Sequence, residues 1–284
     1  MTLKIWLRRI FSLVFLPFAA LREHFFPGIR ILMYHRVERL PAYDQLTVNP
    51  EHFAAQMAYL SKYCRVITLY QAVKELQCGG YRQSGVVITF DDGYRDNLIH
   101  ALPILKRYCL PATIFVTVGF CDQTRQHPRY PISSSRLHLD WKEVRSLADK
   151  FNITIGSHSL THPYLPRLSY AEAQHEITAS RRQIAAEINR SVDFFCYPSG
   201  DLNQRETELV RDAGYLGAVT VAPGYNRSGI SLYELRRTEV TDNDHIIDFF
   251  AKLHGAYDFL HAILHWCRRH RSAVATRALP ADSG

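Results

Sequence analysis

No two of the six cysteines in this 284-residue chain form a CxxC pair. Cys64, Cys78, Cys109, Cys121, Cys196 and Cys267 are scattered, which excludes a zinc ribbon and a small disulfide framework and favours a reducing compartment. No apolar run reaches the ~20 residues that a spanning helix needs. The run Ile10–Leu21 is too short and ends at Arg22-Glu23-His24. No internal repeat or low-complexity tract occurs between Ile29 and Val240. An interleaved aromatic and basic stripe along a sheet is also missing, so nucleic acid is not an expected partner.

The composition, 47% hydrophobic and 21% charged, is that of a globular protein. The formal charge of +7 is concentrated towards the ends, at Lys4, Arg8, Arg9 and Arg22, and again at Arg268, Arg269 and Arg271. Basic clusters beside apolar segments favour contact with an anionic surface. A basic stretch followed by Ile10–Leu21 has the layout of an export signal. However, Pro17 or Phe18 would occupy the position where cleavage prefers a small residue. A helix in the membrane interface, with Trp6 at headgroup level, fits better. The expectation is a membrane-associated protein on the cytoplasmic face, where positive flanks are favoured. The alternative is a periplasmic or secreted protein whose N-terminal segment is an export signal.

Strand and helix signals alternate from Ile29 to Val240, which implies a mostly parallel sheet wrapped by helices. Strands are expected at Ile29–His35, Val66–Leu69, Val86–Phe90, Ala112–Val118, Ile153–Gly156, Val192–Tyr197, Gly217–Ala222 and Leu235–Val240. Seven or eight such strands suit a barrel. Helix starts are marked by Asn49-Pro50, by Asp140 and by Ser169 with Glu172 three residues on. Tyr94–Tyr108 reads as a helix with Pro103 inside it, and Ile246–Trp266 as another. Gly119–Leu139 is a long polar loop, a common form for a binding loop. Three regions follow from this reading. They are a basic and apolar segment over 1–27, a catalytic domain over 28–242, and an amphipathic helix with a tail over 243–284.

The chemistry centres on Val86–Tyr94, VVITFDDGY. A β-branched run stops at two adjacent carboxylates and a glycine, where a strand leaves the sheet. The carboxyl ends of parallel strands are where α/β proteins place their reactive groups. Two adjacent acids repel when both ionise in a partly desolvated site. A divalent metal on one of them relieves this and leaves the other free as a base. A second motif, GSHSLTHP over Gly156–Pro163, carries His158 and His162 at a spacing that puts both on one face if the segment makes a helical turn. One oxygen and two nitrogens suit Zn²⁺ with an open position for water, and Ni, Co or Fe are compatible with the same donors.

TFDDGY, GSHSLTHP and FCYPSG (Phe195–Gly200), with ATIFVTVGF and LDWKEVRSLA around them, resemble in order and spacing the motifs of the NodB-homology polysaccharide deacetylases. In style they are closest to the poly-N-acetylglucosamine deacetylases. The resemblance covers roughly Ile29–Val240. It implies a distorted (β/α) barrel of about seven parallel strands in a single catalytic domain with helical ends. It also implies metal-dependent removal of an acetyl group from a GlcNAc-like sugar of a polysaccharide or lipid-linked glycan.

By the same resemblance Asp92, His158 and His162 are the expected metal ligands and Asp91 the general base. The backbone N–H of Ser199 is the expected oxyanion donor. Tyr94, Tyr197 and Pro198 are expected to contact substrate. Three departures from the family pattern stand out. Cys196 lies near the place of an arginine that tethers the base, and Arg236 or Arg237 is expected to supply that charge. No late histidine matches the family's general acid. ILMYHRV at the front resembles the missing strand-plus-histidine motif, so His35 is expected to be the acid. A deacylase of a non-sugar amide and an inactive glycan-binding barrel are the competing readings.

Overall fold

The computed structural model describes residues 25–258, apart from 80–81, 131–135 and 151, together with Leu21. Seven strands form one parallel sheet: β1 (Ile29–Tyr34), β4 (Gly85–Phe90), β5 (Ala112–Val116), β6 (Ile153–Ser157), β7 (Phe194–Cys196), β8 (Gly217–Val219) and β9 (Arg237–Glu239). Their order is β8-β7-β6-β5-β4-β1-β9. A short parallel pair, β2 (Arg36–Val37) and β3 (Thr47–Val48), stands apart from it. The two edges of the sheet meet at Leu235. Its N–H donates to Ala218 O (2.9 Å) and its carbonyl accepts from Thr220 N–H (2.8 Å), immediately before β9 joins β1. The sheet is therefore a nearly closed barrel.

Successive strand residues face opposite sides, so each strand feeds two cores. Ile29, Ile31, Val87, Phe115, Phe194, Cys196, Val219 and Leu235 fall in the smaller cluster, which fills the barrel. Leu32, Tyr34, Val86, Ile88, Phe90, Ile114, Val116 and Phe195 pack outwards against the helices in the larger one. This two-sided burial explains why the strand segments read as continuous apolar runs rather than alternating ones. At Gly156 the barrel has no room for a side chain. A Cβ there would lie 2.4 Å from the Phe115 ring.

The helix starts follow the caps. Asn49 accepts from Glu51 N–H, and capping boxes form at Asp140–Glu143 and Ser169–Glu172. The structure departs from expectation in four elements. Val66 makes only a single bridge to Val86, because the Thr68–Gln71 capping box starts a helix at Leu69. The segment after Tyr94 is a π-turn over Asn97–Ala101 leading into an α-helix over Leu102–Arg107. The wider turn accommodates Pro103, which has no N–H to give. The last described helix is Ile246–Leu253, and the remainder of the expected Ile246–Trp266 helix from residue 259 lies outside the described residues. Gly119–Leu139 begins with one helical turn, Val118–Cys121. The expected interface segment over 1–27 falls almost wholly outside the described residues. Among those described, no helix is long and apolar enough to cross a membrane.

Candidate functional site

Strand parity brings the chemistry to one mouth of the barrel. His35 follows the inward positions of β1, Asp91 those of β4, and Cys196 and Arg237 are inward on β7 and β9. Beyond β4 the chain turns sharply. Asp92 and Gly93 both take left-handed φ values, 67° and 63°. Aspartate tolerates this conformation better than most side chains, and glycine is free of its penalty. A Cβ on Gly93 would also approach Val116 Cγ1 to 3.0 Å. The Asp-Asp-Gly order thus sends two consecutive carboxylates in different directions.

Asp91 points to Arg237. The guanidinium donates from Nη1 to Oδ1 (2.6 Å) and from Nη2 to Oδ2 (2.7 Å). Its other three N–H groups reach Thr220 O (2.8 Å), Thr89 Oγ1 (3.2 Å) and Cys196 Sγ (3.2 Å). All five donors of the arginine are therefore used inside the barrel. Burial raises the Asp91 carboxyl, but the Arg237 charge and hydrogen bonds, with His158 and His35 nearby, outweigh this and hold it below the ordinary carboxylate range. Of the two expected tethers, Arg237 is at the site and Arg236 is not. The Arg236 side chain is exposed, and its N–H donates to Asn226 Oδ1 (2.8 Å). Cys196 contributes the fifth acceptor, its thiol pushed up by burial. His35 Nε2 lies 3.9 Å from Asp91 Oδ2, and its carbonyl accepts from Asn97 Nδ2 (2.9 Å).

Asp92 points the other way. His158 Nε2 and His162 Nε2 lie 3.4 and 3.5 Å from its Oδ1, a buried oxygen with no hydrogen-bond partner. These three residues form a group whose ligand atoms all fall within 4.8 Å of one another. An orphaned carboxylate oxygen facing two imidazole nitrogens fits a divalent cation, since leaving it unpaired is costly. His158 Nδ1 is 2.8 Å from Cys196 O, which sets its tautomer and directs Nε2 towards Asp92. His162 is held neutral, pushed down to about 4 by burial and by His158.

The two histidines do not sit on a helical turn. Ser159 (φ 67°) and His162 (φ 58°) are both left-handed, and His162 N–H donates to Ser159 Oγ (3.0 Å). Glu176, on the helix Tyr170–Ile188, clamps this bend. It accepts from Leu160 N–H (2.9 Å), Thr161 N–H (2.9 Å) and Thr161 Oγ1 (2.6 Å).

The turn Pro198–Gly200 follows β7, and Ser199 within it is exposed with φ 59°. The side chains of Tyr94 and Tyr197, both expected to touch substrate, are buried completely. Tyr197 comes one residue after inward Cys196. It therefore faces the helices and donates to Tyr233 O (3.0 Å). Tyr94 stacks on His138 (4.8 Å, 25°), whose other face meets Phe120 (4.4 Å, 25°). Pro198 is buried as well.

Three participants were not singled out from the sequence. His127 Nε2 lies 3.6 Å from Asp92 Oδ2, His138 packs behind it, and Glu176 holds the histidine bend. The signal for the first two was the long loop itself. Glu176 carried none, since it looks like any other acid on a solvated helix.

A family model described as polysaccharide deacetylase matches residues 79–218. The Bacillus subtilis protein YxkH, named as a polysaccharide deacetylase, is 29% identical over 213 residues, covering 74% of this chain and 71% of that protein. Poly-beta-1,6-N-acetyl-D-glucosamine N-deacetylase of Staphylococcus aureus is 24% identical over 174 residues, and the match spans 59% of each chain. Among solved structures, the deacetylase PplD of Streptococcus pyogenes shares the fold at a TM-score of 0.70 with 23% identity, covering 79% of this chain and 97% of that one. IcaB from Ammonifex degensii shares it at a TM-score of 0.69 with 21% identity, covering 82% and 97%. With the barrel and the motif order, these matches indicate a polysaccharide deacetylase, a hydrolase that acts on carbon–nitrogen bonds other than peptide bonds.

Proposed function

We propose that the protein removes N-acetyl groups from GlcNAc-like units of a glycan by metal-dependent hydrolysis. The observation that carries this reading is the paired arrangement at the mouth. A partnerless Asp92 oxygen faces two imidazoles, beside a second carboxylate locked by an arginine. Asp92, His158 and His162 would hold the cation, with Zn²⁺ favoured and Ni, Co or Fe compatible with the same donors. Such an ion supplies Lewis acidity and brings the pKa of a water towards 7.

The chain's own residues account for the proton movements. Asp91, ionised through Arg237, accepts a proton from the attacking water as a carbon–oxygen bond forms at the acetyl carbonyl. The Ser199 N–H donates to the oxyanion of the tetrahedral intermediate. His35, whose Nε2 lies 3.9 Å from Asp91 Oδ2, donates a proton to the sugar nitrogen as the carbon–nitrogen bond breaks, giving acetate and a free amine. The name of the staphylococcal relatives suggests a β-1,6-linked poly-N-acetylglucosamine as the polymer to try first.

Purified protein and Asp91→Asn should each be assayed for bound metal and for acetate released from acetylated glucosamine oligomers. The reading expects both to bind metal and only the unaltered protein to release acetate. Acetate release by Asp91→Asn at the unaltered rate would remove Asp91 as the base. Metal binding without acetate from any sugar would favour a non-sugar amide or a barrel that only binds glycan.

A further inference from the structure

The end of the barrel opposite the site has a character of its own. Two large apolar side chains there, Phe25 and Phe26, are 66% and 63% exposed just before β1 begins. Arg227 wraps this segment, donating from Nε and Nη2 to Phe26 O at 3.3 and 3.0 Å. Beside it opens a cleft of about 550 Å³ lined by Arg65, Lys74, Glu75, Cys78, Gly79 and Arg82. Arg65 takes up the only acid of that lining, through two hydrogen bonds to Glu75 of 2.8 and 2.7 Å. The charges of Lys74 and Arg82 are therefore in excess. The cleft and the phenylalanines belong to one face. Gly85 N–H donates to Gly28 O (3.1 Å), and a Cβ on Gly79 would lie 3.3 Å from Ser228 Oγ, next to Arg227.

Both ends of the described chain leave from this face. Arg30, the second residue of β1, is fully buried and forks onto Asp258 with bonds of 2.9 and 2.8 Å. Residues 28 and 258 are thus fixed close together at the amino ends of the strands. The catalytic side chains stand at the carboxyl ends. A six-residue strand separates the two ends by roughly 20 Å. The flanking sequences carry Lys4, Arg8, Arg9 and Ile10–Leu21 on one side, and Trp266, Arg268, Arg269 and Arg271 on the other.

From these observations we infer that the amino-terminal end of the barrel docks on an anionic phospholipid surface, with Phe25 and Phe26 inserted among the headgroups and Lys74 and Arg82 over the phosphates, so that the catalytic mouth faces away from the bilayer. Apolar side chains rimmed by cations make an interfacial anchor, and each cation adds attraction to acidic lipid. The orientation has a consequence for substrate. The sugar that is processed lies roughly a strand length or more from the membrane, so an extended glycan fits better than the sugar next to a lipid anchor. The position of the mouth rests on the site reading above, whereas lipid binding does not, so the two fail separately.

The experiment uses the full-length protein with vesicles of phosphatidylcholine alone and of phosphatidylcholine with phosphatidylglycerol. Sedimentation should show binding to the acidic vesicles only, weakened by salt. Lys74→Glu with Arg82→Glu should lower that binding by about tenfold or more, with unchanged acetate release from soluble oligomers. Hydrogen exchange on the unaltered protein should show vesicle-dependent protection at residues 25–28, 82–84 and 226–229, and none at 40–45 or 122–130 beside the mouth. Equal binding to neutral vesicles, no binding at all, or protection confined to the mouth loops would each overturn the inference.

Discussion

Arg237→Met isolates the contact on which the ionisation of Asp91 depends. The arginine is 1% exposed, and every N–H it carries is spent inside the barrel, two of them on Asp91. Methionine fills a similar volume without the charge, so the carboxylate is left buried and unpaired. Breaking a buried pair in this way costs about 3–5 kcal/mol. For a domain of this size 1 kcal/mol moves Tm by about 2–4 °C, so Tm should fall by about 6–20 °C. The sign of the pH effect follows from the direction of the shift. Arg237 holds the Asp91 carboxyl low, so its stabilisation is complete above the ordinary aspartate pKa of about 3.9 and is lost as pH falls through the lower folded value. The Tm difference between the two proteins should therefore shrink in acid. Without the arginine the carboxyl rises, so activity should be lost first at the acid end of the profile. Metal affinity should be unchanged, because no hydrogen bond from the guanidinium reaches Asp92, His158 or His162. Asp91→Asn combined with Arg237→Met removes both charges and should recover most of the lost Tm. Thermal unfolding, acetate release against pH and metal titration read these quantities. An unchanged Tm with an unchanged acid limb would refute the claim that Arg237 sets the ionisation of Asp91.

Other consequences are equally direct. Glu176→Ala leaves two backbone N–H groups and a hydroxyl of the histidine bend without their acceptor. It should weaken metal binding by about 10–100-fold in a titration, as loss of an outer-shell partner does elsewhere. His162→Ala should abolish stoichiometric metal while leaving the circular dichroism spectrum intact, and metal retained at full occupancy would remove His162 from the ligand set. His35→Gln should lower kcat by about 10²–10⁴-fold with metal still bound, and full turnover would return His35 to a structural role. Gly156→Ala drives a methyl into the Phe115 ring and should cost about 1–3 kcal/mol in denaturant unfolding.

The barrel and the grouping of Asp92 with His158 and His162 were legible because both rest on local signals. A β-branched run ending in two acids and a glycine marks a strand end and its turn, and the histidine pair follows another strand end. The choice between Arg236 and Arg237 was not legible, because the strands are apolar on both faces and Leu235 and Val240 offer opposite parities; the structure decides it. Leu235 is inward, so Arg237 two residues on must be inward and Arg236 outward. The same count, once one inward residue is known, places Cys196 inside and Tyr197 outside. What parity cannot reach is a contact set by the path of a loop. Tyr94 is buried because His138, forty-four residues later, returns to stack on it, and His127 meets Asp92 from that same loop. The fork between Arg30 and Asp258, 228 positions apart, was likewise invisible. Yet it decides where the chain's ends emerge relative to the mouth. A cluster of polar side chains at strand ends is therefore readable from sequence, because apolar runs mark where the strands stop. The orientation of that cluster towards a surface depends on how distant segments are tied together, and here the fork of buried Arg30 onto Asp258 is one such tie.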